Sequence, residues 1–274
     1  MAQGGGPGPT PVLGIFDSGI GGLTVVKEIK RLLPRLPIVY FGDTARTPYG
    51  TKSRETLQRY AREDTSFLIS QGANIIVIAC HSAASAARDH IAQGFPVPVF
   101  DVVGPAMEEA LAATRNGRIG LMGTRATVES GVYQEGLARL APEVRLVAQP
   151  CPLLVPLVEE GWLRRRETRM IVKKYLRPLK AAGVDTVVLG CTHYPLLKGV
   201  IAEKVGKRVR IIDPAEAVAR RIARYLEERS LLPGEQGPPQ GPPDRYFLSD
   251  IAPATQEIAR RFLGRPIRFA AGGP

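Results

Sequence analysis

Short runs of apolar, β-branched residues recur along the chain and alternate with stretches in which apolar residues return every three or four positions. The first pattern predicts strands buried on both faces, and the second predicts amphipathic helices. Strands are predicted at 12–16, 38–41, 74–79, 97–102, 118–122, 144–148, 186–189, 209–212 and 246–248. Helices are predicted at 23–33, 54–71, 83–93, 131–140, 166–182, 215–229 and 254–263. Strand and helix taking turns in this way is the signature of an α/β protein with a mostly parallel sheet. At 274 residues the chain is long for a single core, so two cores are expected.

Two of the strands end alike. Asn74-Ile-Ile-Val-Ile-Ala-Cys80 and Asp185-Thr-Val-Val-Leu-Gly-Cys191 are both buried-type runs closed by cysteine, each followed by two polar residues and a helical pattern. This reads as one half-unit used twice, although the sequence repeat itself is weak. Ligands of open α/β sheets bind beyond the carboxyl ends of the strands, so two such units facing one another would bring both cysteines to one cleft. The strand-end residues Asp17, Asp43 and Thr124 are expected to point to the same place.

Composition narrows the picture. No apolar run approaches the ~18 residues of a membrane span, and the first eleven residues lack the basic start and apolar stretch of a signal peptide, so they read as a loose tail of a cytoplasmic protein. The Pro/Gly-rich stretch 233–243 can continue neither helix nor sheet and is expected to be an exposed connector. The three cysteines form no C-x-x-C pair, which argues against a disulfide framework or a zinc site and for free thiols. A net charge of +11 raises nucleic-acid binding, with the densest basic stretch at 164–180, where Met170, Ile171 and Leu176 are interleaved. That spacing suits a solvated helix face, and the aromatic residues or motif of a nucleic-acid binder are missing.

A cysteine at a strand end, with its thiol near the N-terminus of the next helix, gains from the helix dipole and exposed N–H groups, which favour thiolate. One such cysteine is more simply a buried apolar residue, but two in matching positions suggest a pair of bases. Cys151 has no equivalent polar setting and reads as structural. The turn Asp17-Ser-Gly-Ile-Gly-Gly22 can aim backbone N–H groups at an anion, while the Asp17 carboxylate suits an ammonium group; together they fit a zwitterionic amino acid. As a nucleotide signal the turn is weak, since neither G-x-G-x-x-G nor a following Gly-Lys-Ser/Thr is present. The loop 44–50 reads first as an ordinary polar loop and second as a substrate wall. His90 reads as surface, whereas His81 and His193 each lie within two residues of a candidate cysteine, where an imidazole can assist proton transfer or hold a ligand. A Cys-His hydrolase needs one nucleophile and an asymmetric partner set, so the twofold arrangement argues against it.

Several segments carry a closer resemblance: Gly14-Ile-Phe-Asp-Ser-Gly-Ile-Gly-Gly-Leu23, Tyr40-Phe-Gly-Asp43 with Pro48-Tyr-Gly50, Gly123-Thr-Arg-Ala-Thr127, Cys151-Pro-Leu-Leu-Val-Pro-Leu-Val-Glu-Glu-Gly161 and Leu189-Gly-Cys-Thr-His-Tyr-Pro-Leu196. Together they resemble the glutamate racemases of the aspartate/glutamate racemase superfamily over nearly the whole chain. The resemblance implies two pseudo-symmetric α/β domains facing a cleft: residues 1–103 with 214–274 carrying Asp17 and Cys80, and residues 104–213 carrying Thr124 and Cys191. It places the 246–248 strand and the 254–263 helix back on the first domain. It implies no cofactor, no metal, glutamate as ligand, and D-glutamate made for peptidoglycan. Cys80 and Cys191 fall on the family's proton-transfer positions, with Asp17, His193 and Glu159 as helpers. Asp17, Ser18, Tyr49, Gly50, His81, Ser82, Thr124, Thr127, Thr192 and His193 fall on substrate-contacting positions. One departure is plain: where the resemblance implies Cys-Asn-Thr, this chain has Cys80-His81-Ser82.

The α-proton of an amino acid is barely acidic, and no Schiff-base lysine motif is visible, so a site of this kind has to stabilise an enediolate electrostatically. A homodimer is the expected assembly, with no membrane or nucleic acid required. A non-catalytic amino-acid-binding protein would share the cleft but would not need matched cysteines. Aspartate racemase or a one-cysteine decarboxylase is the nearer rival, and glutamate over aspartate rests on the family motifs alone.

Overall fold

A computed structural model describes residues 10–232 and 241–274. The expected N-terminal tail and most of the 233–243 connector lie outside the described residues. Two sheets are formed, and every strand pair in them is parallel. The first contains β1 (Leu13–Asp17), β2 (Ile38–Gly42), β3 (Ile75–Ile78), β4 (Val99–Asp101), β9 (Arg245–Leu248) and β10 (Ala270–Ala271), ordered β10-β9-β2-β1-β3-β4. The second contains β5 (Arg118–Gly123), β6 (Arg145–Pro150), β7 (Thr186–Gly190) and β8 (Arg210–Ile212), ordered β6-β5-β7-β8. The runs 2-1-3-4 and 6-5-7-8 share one plan, so the half-unit glimpsed in the two cysteine segments is a repeat of topology.

The helices are α1 (Leu23–Leu32), α2 (Arg54–Ser70), α3 (His81–Gly94), α4 (Val103–Ala113), α5 (Arg125–Glu129), α6 (Val132–Leu140), α7 (Leu154–Glu159), α8 (Arg166–Ala181), α9 (Lys198–Val205), α10 (Pro214–Glu228) and α11 (Thr255–Leu263). Among them none is long and apolar enough to cross a membrane. Strands β1, β2, β3 and β7 are buried along their whole length, as parallel strands covered on both faces must be, whereas the edge strand β6 is partly exposed. The chain crosses between sheets after β4 and again after β8, and the C-terminal strand β9 returns to pair with β2. In the basic helix α8, Val172, Leu176 and Leu179 face the core and Lys173, Lys174 and Arg177 are exposed, which is the solvated face expected. Met170 departs from that pattern, being 61% exposed rather than turned inward.

Each sheet has a point where successive connections leave in opposite directions, between β1 and β3 in the first and between β5 and β7 in the second. Helices on either side of such a point splay apart and leave a crevice at the carboxyl ends of the strands. Two residues past the Phe16↔Ile78 pair stand Ser18 and Cys80, and one past Gly123↔Gly190 stand Thr124 and Cys191. Each crevice therefore holds one hydroxyl and one thiol.

Candidate active site

Both cysteines line a single cavity of about 450 Å³, within the size range of small-molecule sites. Ser18, His81 and Ser82 flank Cys80 on its wall; Thr124, Thr192, His193 and Glu159 flank Cys191. The loop from Thr47 to Thr51, including Tyr49 and Gly50, closes one side, so its second reading as a substrate wall agrees with its position. The halves are stitched beneath the cavity by reciprocal hydroxyl contacts. Ser82 Oγ lies 3.0 Å from Thr124 Oγ1, and the Thr192 hydroxyl donates to Asp17 Oδ1 at 3.2 Å. The glycines of the 17–22 turn serve this approach: a Cβ on Gly21 would lie 2.4 Å from Thr192 Oγ1 and 2.5 Å from the His193 ring.

Three of the residues singled out in the sequence stand otherwise than expected. Asp17 is fully buried and is not on the cavity wall; its oxygens accept from Thr192 and from the Gly19 N–H. Thr127 is likewise behind the wall, with its hydroxyl 2.9 Å from that of Thr124. Asp43, expected to point into the cleft, instead accepts from Tyr49, Arg46 and Ser249 in a buried network that includes Asp64. The Tyr49 hydroxyl is taken up by that network, leaving its ring to the cavity. A buried carboxylate settles where donors meet it, and those of Asp43 are Tyr49, Arg46 and Ser249.

The two cysteines differ in their electrostatic setting. Cys80 caps the N-terminus of α3, the position from which thiolate was expected. Burial, and then the charge of Asp17, nevertheless push its thiol up to about 12, against the opposing pull of the Ala83 N–H and the Ser18 hydroxyl. Desolvation outweighs the helix end here, so Cys80 rests as a thiol. Its neighbour His81 is 3% exposed, neither ring nitrogen has a hydrogen-bond partner, and burial holds it down to about 3, hence neutral. At the second cysteine the Sγ of Cys191 lies 3.8 Å from His193 Nδ1, and His193 Nε2 lies 2.9 Å from Glu159 Oε1. Burial opposes a charged imidazole at His193, but its hydrogen bonds to Cys191 and Glu159 prevail and push it up to about 10. The result is a charged imidazole held between a sulfur and a carboxylate. Cys151 is buried off the wall and donates to the Gln149 carbonyl at 3.3 Å, in keeping with a structural thiol. His90 is exposed.

Sequence reasoning missed several wall residues. Pro152, Val155 and Pro156 line the cavity from the short helix α7 and its approach, and Arg125 opens α5 at the cavity's edge. Two prolines within five residues mask the helical pattern of α7, and α5 is too short to show a period. Tyr194 was quoted only as part of a motif, yet its buried hydroxyl ties the Cys191 loop to the carbonyls of Gly123 and Cys151 at 3.2 and 2.9 Å.

Comparison with known proteins identifies the family. Residues 10–222 match the family model described as Asp/Glu/hydantoin racemase. The glutamate racemase of Geobacter metallireducens is 46% identical over 258 residues, covering 93% of this chain and 94% of that one. The crystal structure of glutamate racemase isoform RacE1 from Bacillus anthracis superposes with a TM-score of 0.90 at 35% identity, covering 96% of this chain and 97% of that one. Glutamate racemase from Francisella tularensis, solved in complex with D-glutamate, gives 0.88 at 33% identity with the same coverage. The chain therefore belongs to the Asp/Glu/hydantoin racemase family and stands among its glutamate racemases, which are isomerases.

Proposed function

We propose that this chain interconverts L- and D-glutamate by two-base proton transfer between Cys80 and Cys191, without a cofactor, and so supplies D-glutamate for peptidoglycan in the cytoplasm. The observation that carries the reading is the pair of strand-end thiols on one cavity, each from an equivalent place in a repeated half-unit. The binding of D-glutamate by the Francisella tularensis relative supports the choice of substrate.

In this reading the substrate lies between the sulfurs with its α-carbon facing one on each side. A thiolate takes the α-proton, the C–H bond electrons pass into the carboxylate as an enediolate, and the opposite thiol gives its proton to the other face. The cysteines have then exchanged protonation states and the centre is inverted. For one hand of substrate Cys191 acts as base, facing the His193 imidazolium, and Cys80 as acid; for the other hand the roles reverse. The hydroxyls of Ser18, Ser82, Thr124 and Thr192, with the backbone of Gly50, are available to the two carboxylates and the ammonium group. Asp17 acts through Thr192, and Thr127 through Thr124. Donors fixed in place before the charge develops are worth more than water, which must reorient. The two bodies in this proposal are 1–103 with 214–274, and 104–213, and two copies of the chain form the assembly.

Incubation of the purified protein with L-glutamate in deuterated water tests the reaction directly. Optical rotation is expected to decay to zero while deuterium enters the α-position of the product. Rotation that stays constant, or decays only after pyridoxal phosphate or a metal is added, would overturn the proposal.

The His193–Glu159 contact sets a pH dependence. A protonated His193 contributes to folded stability in full below the ordinary imidazole value of 6.5, and that contribution is lost as pH rises through about 10. The same deprotonation is expected to form the alkaline limb of kcat/KM. In Glu159→Gln the carboxylate that helps hold the proton is gone, so the limb is expected to move to lower pH. A limb that stays in place would mean that another group controls it.

A further inference from the structure

The C-terminal helix α11 packs on α1 of the first half, yet two consecutive residues of it reach the His193–Glu159 pair of the second. Arg261 Nη1 donates to the main-chain carbonyl of Glu159 at 2.7 Å, a bond between residues 102 apart in sequence. Phe262, 1% exposed, stands edge-on to the His193 ring with centroids 5.1 Å apart and planes at 82°. Glu159 is the last residue of α7, whose terminal carbonyls have no partners within the helix, and a guanidinium there both satisfies a carbonyl and complements the negative end. The chain makes room for it. Gly161 takes the left-handed conformation at φ +72°, and a Cβ there would lie 2.8 Å from Arg261 Cζ. Arg261 is itself tethered by Glu257 one turn back on α11.

We infer that α11 is a brace for one proton-transfer face, with Arg261 and Phe262 as positioning residues that hold Glu159 and His193 in register with Cys191. The inference rests on the two-cysteine reading above. Glu159 sits at the last position of a six-residue helix with its side chain 41% exposed, so nothing in α7 alone fixes where its carboxylate points. His193 precedes a turn of 3-10 helix rather than a long α-helix, and the Phe262 ring of α11 packs against it. Cys80 stands instead at the N-cap position of α3, a 14-residue helix of the other half. The brace therefore acts on one face of the substrate only.

That asymmetry gives the test. Arg261→Ala is expected to lower kcat roughly 10- to 100-fold with KM little changed, the loss that follows from misplacing a catalytic group by about 1 Å. Its alkaline limb is expected to move to lower pH, as in Glu159→Gln, and Arg261→Lys is expected to recover part of both. Phe262→Leu, which keeps an apolar side chain in the same space, is expected to act in the same direction, and thermal melting checks that all variants are folded. The face is read separately by α-proton exchange in deuterated water. In the Cys80→Ala protein only Cys191 exchanges one enantiomer, and Arg261→Ala is expected to slow it; in the Cys191→Ala protein only Cys80 exchanges the other, and Arg261→Ala is expected to leave it unchanged. Equal slowing at both faces, or an unmoved pH profile, would overturn the brace. Single-cysteine proteins that still racemise would instead bring down the two-cysteine reading, and the brace with it.

Discussion

Alanine at Cys80 or at Cys191 is expected to reduce racemisation on the order of 10³-fold, since removing an acid or base from a proton transfer costs about 10²–10⁴-fold. Each cysteine is 5–6% exposed, buried at a strand end and turned to the shared cavity, so truncation removes the thiol and leaves a methyl group in its place. The two single variants are expected to fail alike in both directions, because each direction needs one thiolate and one thiol. Their exchange behaviour is expected to differ, each retaining slow α-deuteration of one enantiomer. Cys151→Ala is the control: its thiol is buried off the cavity wall and bonded to Gln149, so turnover is expected to persist. Polarimetry from both enantiomers, with mass spectrometry of the α-position, reads all three. A folded Cys80→Ala protein that racemises at the native rate, or a folded Cys151→Ala protein that does not, would show that the thiols have been assigned wrongly.

The second large effect is expected at His81, where the sequence resemblance implies an asparagine. Both ring nitrogens are buried without a partner on the cavity wall, an arrangement that costs free energy unless a ligand or water meets them. A neutral imidazole offers one donor and one acceptor, the same complement that an asparagine side chain can present in one contact. His81→Asn is therefore expected to keep substantial activity, while His81→Ala is expected to weaken kcat/KM by about 1–3 kcal/mol, the cost of leaving a substrate polar group unmet. Because burial lowers its titration to about 3, His81 contributes stability above the ordinary value of 6.5 that is lost as pH falls from there towards 3. It is expected to leave the acid limb of the rate profile alone. An inactive but folded His81→Asn enzyme would give the histidine an acid-base role of its own. Unchanged kinetics in His81→Ala would mean that it does not meet the substrate.

Much of the frame was legible in the chain because it depends on neighbours in sequence. Strands buried on both faces need continuous apolar residues, so Ile75–Ile78 and Thr186–Gly190 were readable, and with them the cysteine that ends each. The basic face of α8 was readable from its period for the same reason. Short elements were not: α5 and α7 have too few turns to display a period, and β10 has two exposed residues and no pattern at all.

The chemical state of the site was set elsewhere. His81 and His193 look interchangeable in sequence, each beside a cysteine, yet burial without partners leaves one neutral, and hydrogen bonds to Cys191 and to a carboxylate 34 residues away make the other a cation. Asp17 reads as a strand-end carboxylate pointing into the cleft, but the turn that follows it packs against Thr192 and closes it in. Cys80 reads as an activated thiol at a helix end, and desolvation by the surrounding core reverses that. Local patterns fix which elements form and which residues end them, because those choices depend on propensity and hydrophobic period. Protonation, orientation and the support that α11 lends to Glu159 depend on what is brought close through space, and sums over distant neighbours of that kind exist only once the two halves are packed together.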